Sequence, residues 1–198
     1  MTHFEFEDRH FGTIAGVDEA GRGPWAGPVV AAAVVLDRER VPPGLDDSKK
    51  LSAAARARFF AALQGAAIIG VGQASVAEID TLNILQATLL AMTRAVAALG
   101  RDVDHILVDG NRLPQWPHSA SAIIGGDGQS ASIAAASIIA KVTRDRMMAQ
   151  LHAEYPGYGW ATNQGYGTAE HRRALTALGV TAHHRRSFAP VRARLARV

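Results

Sequence analysis

The chain of 198 residues contains no cysteine, which excludes disulfide bonds and thiolate metal ligands. Its apolar runs are shorter than the roughly 20 residues that a membrane-spanning helix needs, so we expect no membrane contact. No positively charged, apolar and small-residue leader is found at its start. Only 6% of the residues are aromatic, but a hydrophobic fraction of 48% is enough for a folded core. These features lead us to expect a cytoplasmic globular protein.

Acidic residues are absent between His171 and Val198. This part of the chain contains arginines at positions 172, 173, 185, 186, 192, 194 and 197. The net charge is only +3, but the sequence pI of about 9.7 is typical of proteins that bind polyanions. The basic C-terminal segment, residues 180–198, therefore predicts contact with a polyanion. A solvated, arginine-rich surface has the same composition and is the alternative.

The most informative stretch is Gly16–Pro24, with the sequence Gly-Val-Asp-Glu-Ala-Gly-Arg-Gly-Pro. The apolar runs 13–17 and 29–36 on either side of it predict two strands joined by a tight connection. Asp18 and Glu19 would face opposite sides of a strand, but both can reach one position if the strand ends between them. Neighbouring carboxylates repel each other unless a cation neutralises them, and Mg²⁺ prefers such oxygen ligands.

The glycines of this stretch suit a phosphate ligand. Gly21 and Gly23 have no side chains, so a ligand can approach their backbone N–H groups closely. Arg22 between them can bind a phosphate through its planar guanidinium group. A metal site beside a phosphate site is typical of phosphoryl-transfer enzymes. For an isolated Asp-Glu pair the alternative is a solvated turn, since acidic side chains are mostly exposed.

The rest of the chain predicts one α/β domain over residues 1–198. Apolar runs predict five strands, near residues 11–18, 28–37, 67–72, 105–109 and 122–124. Capping residues and helical periodicity predict helices over 52–63, 75–100 with a break near 82–83, 130–154 and 168–179, the first ending at Gly65. An antiparallel pair followed by strands added through helical crossovers indicates a mixed five-stranded sheet flanked by helices. Residues 1–10 are polar, and we expect them to be flexible.

Three further acids are placed where chemistry can use them. Asp109 ends an apolar strand, and ligands of open α/β sheets gather at such strand ends. Asp127 lies in a glycine turn before a helix, where an acid that interacts with the helix start is the alternative. Asp145 is expected to form an ion pair on a helix surface.

Several motifs together resemble ribonuclease HII, the bacterial type 2 ribonuclease H family. The resemblance runs from about residue 12 to residue 191 and begins with the Gly16–Pro24 stretch. Its other motifs are Asp47-Ser48-Lys49, Val108-Asp109-Gly110, Gly126-Asp127, the stretch from Ala134 to Lys141, Gly165-Tyr166 and the stretch from His184 to Phe188. The family usually has a basic residue two positions after the acid of the Gly-Asp turn, where this chain has Gln129. Gln129 can hydrogen-bond a phosphate but carries no charge.

The resemblance implies a ribonuclease H-like fold and a metal-dependent endonuclease. Its substrates would be the RNA strand of RNA–DNA hybrids and single ribonucleotides in duplex DNA. The cut would lie 5′ of the ribonucleotide and leave 5′-phosphate and 3′-hydroxyl ends. Two Mg²⁺ or Mn²⁺ ions would be held by the catalytic acids Asp18, Glu19, Asp109 and Asp127. The protein would act as a monomer, and the sequence does not identify a replication-clamp partner.

The resemblance also implies a set of substrate-binding residues. Gly21, Arg22 and Gly23 would read the 2′-hydroxyl that distinguishes RNA from DNA. Tyr166 would stack on the sugar beside the cut, although loop packing is the alternative. Ser48, Lys49, Arg185 and Arg186 would contact the substrate, the two arginines through its phosphates. His183 and His184 are expected near phosphates or at the surface.

Two other functions remain open at this point. A Mg²⁺-dependent, resolvase-like or integrase-like nuclease of the same fold would act on DNA alone, and the loop that reads the 2′-hydroxyl argues against it. A non-catalytic nucleic-acid-binding domain would rely on the basic segment, and the four acids argue against it, because unneutralised buried carboxylates destabilise a fold.

Overall fold

The computed structural model describes residues 2–196 of the chain, so Arg197 of the basic segment lies outside the described residues. Its strands are β1 (Ile14–Ala20), β2 (Val29–Leu36), β3 (Ala67–Ala74), β4 (His105–Asp109) and β5 (Ala120–Ile123). They form one sheet in the order β3-β2-β1-β4-β5. β2 is antiparallel to β1 and to β3, whereas β4 is parallel to β1 and to β5. The predicted mixed five-stranded sheet is confirmed.

The helices are α1 (Ala53–Ala66), α2 (Val76–Leu82), α3 (Ile84–Ala97), α4 (Ala131–Glu154), α5 (Trp160–Asn163), α6 (Ala169–Leu178) and α7 (Ala189–Leu195). The predicted break between α2 and α3 is confirmed at Asn83, which has a positive φ of 73° and caps α3 with its side chain. The predicted stop at Gly65 is wrong, because α1 continues to Ala66 and enters β3 without a turn. The short α5 and α7 were not predicted.

Helices cover both faces of the sheet. Ala15 and Val17 of β1 pack with α2 and α3 on one face, whereas Ala20 packs with α1 and α4 on the other. Gly16 lies so close to α4 that a side chain would overlap the backbone of Ser132. The glycine therefore lets α4 rest directly on the central strand. Within residues 2–196, none of the helices combines the length and apolar character needed to cross a membrane.

The N-terminal residues pack against α4, which differs from the flexibility expected of residues 1–10. Glu7 is only 2% exposed. Its Oε1 accepts hydrogen bonds from Ser130 Oγ at 2.6 Å, Ser132 N at 2.9 Å and Ser132 Oγ at 2.7 Å. A carboxylate is favourable here because the N-terminus of a helix carries partial positive charge. The partners are more than a hundred positions apart, so the local polarity of residues 1–10 gave no sign of the contact.

This contact predicts an asymmetry between two glutamates of the same segment. Glu7→Ala should lower the free energy of unfolding by about 2 kcal/mol, because the N-terminus of α4 loses a charged acceptor. Glu5 forms only an exposed ion pair with Arg9, at 2.7 Å. Glu5→Ala should therefore cost less than about 0.5 kcal/mol. Urea unfolding measures both changes, and equal losses would show that the buried contact adds nothing to stability.

Candidate active site

Three carboxylates meet at one end of the sheet. Asp18 lies near the end of β1, Asp109 ends β4, and Asp127 lies in the 3-10 turn of residues 126–128 that precedes α4. One oxygen from each lies within 4.8 Å of the other two. Because β1 and β4 are parallel neighbours, their carboxyl ends lie side by side, where ligands of open α/β sheets bind.

Asp109 also holds the turn that carries Asp127. Its Oδ1 accepts hydrogen bonds from the backbone N–H groups of Gly126 at 2.7 Å and Asp127 at 3.4 Å. On the outer side of the turn, the Gln129 side-chain amide donates to the carbonyl oxygens of Ile124 at 2.9 Å and Gly125 at 3.0 Å. The Gln129 amide N–H groups thus brace the turn.

The carboxylates raise one another's pKa. Burial, followed by the charges of Glu19 and Asp109, raises the pKa of Asp18 well above its usual value. Burial and the charge of Asp127 raise the pKa of Asp109. A raised pKa means that the charged form of a carboxyl group is disfavoured. A hard divalent cation stabilises that charged form, and Mg²⁺ and Mn²⁺ favour carboxylate oxygen ligands. The donor set therefore fits a divalent metal.

Glu19 lies beside this cluster and not within it. β1 continues through both acids to Ala20, so the side chains of Asp18 and Glu19 face opposite sides of the strand. Asp18 faces α4, whereas Glu19 lies near α3 with its Oε1 3.3 Å from Nη1 of Arg22. Burial raises the pKa of Glu19, and the Arg22 charge opposes this effect. The strand therefore does not end between the two acids, yet both side chains line one groove.

A groove of about 290 Å³ joins the acids to most of the predicted substrate-binding residues. It is lined by Asp18, Glu19, Ala20, Gly21, Arg22, Gly23, Ser48, Lys49, Asp109, Ser137, Lys141 and Tyr166. Tyr166 is 49% exposed and lies across the groove from Gly23, where a Cβ atom would be 3.3 Å from Tyr166 Cε1. The long-range fold thus brings together motifs that are far apart in the sequence.

Two of these lining residues, Lys49 and Ser48, form side-chain contacts with other residues of the chain. Lys49 Nζ lies 2.5 Å from Asp127 Oδ2. Burial tends to lower the pKa of Lys49, but the hydrogen bond and charge of Asp127 outweigh it and raise the pKa above its usual value. Ser48 is buried, and its hydroxyl lies 2.6 Å from that of Ser137. Lys49 therefore offsets the negative charge of the cluster, and the Ser48 hydroxyl lies in the floor of the groove.

Arg185 is not available for the predicted phosphate contact. It is fully buried, and its guanidinium group donates to backbone carbonyls, among them those of Gly21 at 2.6 Å and Arg22 at 2.9 Å. The prediction for Arg185 is therefore wrong. An arginine-rich sequence does not show that backbone carbonyls of a distant loop lie within reach of the guanidinium group. Arg186 is exposed, and among residues 2–196 its one hydrogen bond is from its backbone N–H to Asp80 at 2.9 Å. The phosphate contact of Arg186 stays a prediction.

Two buried histidines form a directed chain behind Tyr166. His171 Nδ1 lies 3.0 Å from the Tyr166 carbonyl, which can only accept, so this nitrogen carries the proton. His171 Nε2 then accepts from Trp160 Nε1 at 3.2 Å and from His184 Nε2 at 3.1 Å. His184 Nδ1 accepts from the backbone N–H of Thr181 at 3.0 Å. Both rings are therefore neutral, and the expectation of a surface or phosphate-bound His184 is wrong.

Three residues of α4 at the site were not predicted from the sequence. Ser137 and Lys141 line the groove, and Arg144 contacts the backbone below it. Their spacing of four and three positions places them on one helix face, and this spacing is the signal that could have found them. Lys141 Nζ also lies 2.5 Å from Asp145 Oδ1, which confirms the ion pair predicted for Asp145.

The sequence matches the family model described as Ribonuclease HII over residues 15–191. Ribonuclease HII of Rhizorhabdus wittichii is 60% identical over 188 residues, which cover 95% of this chain and 93% of that protein. Ribonuclease HII of Rhodospirillum rubrum is 62% identical over 192 residues, with 94% of this chain and 88% of that protein covered.

Two solved structures of ribonucleases H are similar to this chain in fold. The ribonuclease H2 of Pyrococcus horikoshii is 28% identical with a TM-score of 0.75, and the match covers 94% of this chain and 98% of that chain. A complex of PCNA with RNase HII from Archaeoglobus fulgidus contains a chain that is 24% identical with a TM-score of 0.75, with 88% of this chain and 94% of that chain covered. The ribonuclease H-like fold expected from the motifs is confirmed.

The histidine chain predicts a pH dependence of stability. Burial, with smaller effects of His171 and His183, lowers the pKa of His184 from 6.5 to about 3. Its neutral form therefore contributes stability that is complete above pH 6.5 and is lost as the pH falls toward 3. His184→Gln should flatten the fall in unfolding free energy between about pH 6.5 and 5, by up to about 1.4 kcal/mol per pH unit.

The matched control for this change is His118→Gln, since His118 is exposed. Urea unfolding at a series of pH values compares both variants with the wild-type protein. Carboxylates titrate in the same way in all three proteins, so the difference between the curves isolates the histidine. Parallel curves for wild type and His184→Gln would contradict a buried neutral His184.

Proposed function

Since the chain belongs to the ribonuclease HII family, we propose a mechanism by which its own residues perform that family's metal-dependent reaction. The chain is an endonuclease that cleaves the RNA strand of RNA–DNA hybrids and ribonucleotides embedded in DNA. We propose that the cut lies 5′ of the ribonucleotide and leaves 5′-phosphate and 3′-hydroxyl ends. The observation that carries the mechanism is the cluster of Asp18, Asp109 and Asp127 at the ends of β1 and β4.

The proposed metal ligands are these three aspartates together with Glu19, and the proposed metals are two Mg²⁺ or Mn²⁺ ions. When bound, the ions supply activation of the attacking water and stabilisation of the leaving 3′ oxygen. The Ser137 hydroxyl favours the ionised form of Asp18, which a ligand needs. Glu19 would join the ligand set from the opposite face of β1, where it lines the same groove as Asp18.

Substrate recognition is proposed for the opposite wall of the groove. The backbone N–H groups of residues 21–23 would bind the 2′-hydroxyl of the ribonucleotide, which DNA lacks. The exposed ring of Tyr166 would stack on the neighbouring sugar, opposite Gly23. Arg186 and the exposed guanidinium of Arg22 are the groups proposed to contact phosphates.

Three further parts of the proposal concern location, oligomeric state and a protein partner. We propose that the enzyme acts in the cytoplasm and as a monomer. A replication clamp is a hypothesis for this chain, suggested by the complex of PCNA with the Archaeoglobus fulgidus protein. Gel filtration with and without a purified clamp tests both oligomeric state and binding, and a clamp that elutes separately would contradict the partner.

The function is tested with two DNA duplexes that differ in one sugar. One duplex contains a single ribonucleotide, and its twin is DNA throughout. We expect cleavage of the first duplex only, and only when Mg²⁺ or Mn²⁺ is added. Cleavage of both duplexes would instead favour a nuclease that acts on DNA, and metal-dependent binding without cleavage would favour a non-catalytic domain.

Asp109→Asn should lower the cleavage rate by more than about tenfold, which corresponds to about 1.4 kcal/mol of activation free energy. The asparagine oxygen can still accept the hydrogen bond from Gly126, so the turn should persist. Binding of Mn²⁺, measured by calorimetry, should weaken in parallel with cleavage. The control is Asp102→Asn, since Asp102 is an exposed acid near β4. A rate for Asp109→Asn close to that of the control would exclude the ligand role.

Tyr166→Ala should damage cleavage at a lone ribonucleotide more than cleavage of a continuous RNA strand. The longer RNA offers many alternative positions for the cut, whereas the lone ribonucleotide offers one. Tyr166→Phe retains the ring and should keep the wild-type ratio between the two substrates. The measurement is kcat/KM on both substrates for all three proteins. Equal losses on both substrates would assign Tyr166 to loop packing.

A further inference from the structure

Two arginines are buried without a carboxylate partner. Arg144 on α4 is 2% exposed, and Arg185 is fully buried. Within residues 2–196, no carboxylate lies within 4.0 Å of either guanidinium group, and all of their hydrogen bonds go to backbone carbonyls. Removing an unpaired charge from water costs several kcal/mol in proteins. Burial accordingly lowers the pKa of Arg144 to about 10 and that of Arg185 to about 9.

Arg185 holds the loop of residues 21–28 from behind. Its Nη2 donates to the carbonyl oxygens of Gly21 at 2.6 Å and Pro28 at 3.1 Å. Its Nη1 donates to Arg22 at 2.9 Å, and its Nε donates to Gly27 at 2.9 Å. One planar guanidinium group therefore donates to carbonyls at both ends of the loop, which the single ammonium group of a lysine cannot do.

Arg144 joins the same loop to the one that carries Tyr166. Its Nε donates to the Pro28 carbonyl at 3.0 Å, which Arg185 also contacts. Its Nη2 donates to Ala26 at 3.1 Å, and its Nη1 donates to Gln164 at 3.0 Å, two residues before Tyr166. The two arginines thus form one network beneath both walls of the groove.

The network fixes the direction of the peptide groups in the loop. The carbonyls of Gly21 and Arg22 point inward to Arg185. In a trans peptide the N–H group points opposite to the carbonyl, so the N–H groups of Arg22 and Gly23 point outward to the groove. Gly21 has a positive φ of 97° and no room for a side chain beside Arg144, so glycine is required for this conformation.

We propose that Arg185 and Arg144 are positioning residues for recognition of the 2′-hydroxyl. They turn the N–H groups of the 21–23 loop toward the substrate and hold that loop at a fixed distance from Tyr166. The proposal rests on the proposed function, in which this loop binds the 2′-hydroxyl. Loss of the network should therefore reduce the preference for a ribonucleotide while leaving the metal site intact.

The test compares Arg185→Lys with the wild-type protein on the single-ribonucleotide duplex and its all-DNA twin. Equilibrium binding is measured in Ca²⁺ as the probe cation, and cleavage is measured in Mn²⁺. We expect the binding preference for the ribonucleotide duplex to fall by about tenfold, as for loss of one hydrogen bond to the hydroxyl. Affinity for Mn²⁺ alone should stay within about twofold of wild type, since the carboxylates are untouched. Affinity for the all-DNA duplex should fall less than affinity for the ribonucleotide duplex, since of the proposed phosphate contacts only Arg22 lies in the released loop.

The control is Arg146→Lys, because Arg146 is exposed on the same helix as Arg144. It should keep the wild-type preference. Arg144→Lys provides a second variant for the case that Arg185→Lys does not fold, and circular dichroism identifies which variants fold. Arg144→Lys should lose ribonucleotide preference and, because it releases the loop of Tyr166, should also raise KM for the lone ribonucleotide.

Two outcomes overturn the proposal, and they are distinguishable from failure of the proposed function. A folded variant that keeps the wild-type preference shows that the arginines do not position the loop. Equal losses of affinity on both duplexes show a role in stability alone. If the wild-type protein itself does not prefer the ribonucleotide duplex, recognition of the 2′-hydroxyl by this loop is wrong, and the proposed function fails before the variants are considered.

Discussion

The repulsion among three clustered carboxylates, two of them buried, is the constraint on which the rest of this structure depends. Asp18, Asp109 and Asp127 approach within 4.8 Å, and burial with mutual charge raises the pKa of the first two. Their cost to folding is offset locally by two backbone N–H groups on Asp109 and by the ammonium group of Lys49 on Asp127. These groups come from the turn before α4 and from the turn that carries Lys49, so the cluster depends on segments outside the strands that carry Asp18 and Asp109.

The sheet and the principal acids were predictable because their signals are local. Alternation of apolar runs and glycine turns gave the five strands, and Asp109 and Asp127 were visible as acids at a strand end and in a glycine turn. The orientation of Asp18 and Glu19 was not predictable, since it depends on where β1 ends. The pairing of Glu19 with Ala31 and of Ala20 with Val30 extends β1 past both acids, and such pairing is decided by the neighbouring strand.

Charged residues were predicted least well, because their environment is set by distant parts of the chain. Glu7 is polar and near the N-terminus, yet it is buried against a helix that begins more than a hundred residues later. Arg185 belongs to an arginine-rich, acid-free stretch that is typical of a surface, yet it is fully buried. Local composition does not distinguish a solvated guanidinium group from one surrounded by carbonyls. For Arg144, only its position on the buried face of α4 distinguished it from its exposed neighbour Arg146.

Helix α4 interacts with both the carboxylate cluster and the loop of residues 21–28. Ser137, Lys141, Arg144 and Met148 follow one another at helical spacing along one face. Ser137 acts on Asp18, Arg144 binds the loop of residues 21–28, and Met148 lies directly beneath Gly27. With a rise of about 1.5 Å per residue, the seven positions from Ser137 to Arg144 span roughly 10 Å. A straight helix cannot easily change that length, so α4 holds the interaction of Ser137 with Asp18 and the contact of Arg144 with the loop at a fixed separation. The carboxylates and the loop of residues 21–28 are therefore positioned as one unit. Under the proposed function, a substrate whose sugar lay out of reach of the loop would also have its phosphate misplaced at the carboxylates.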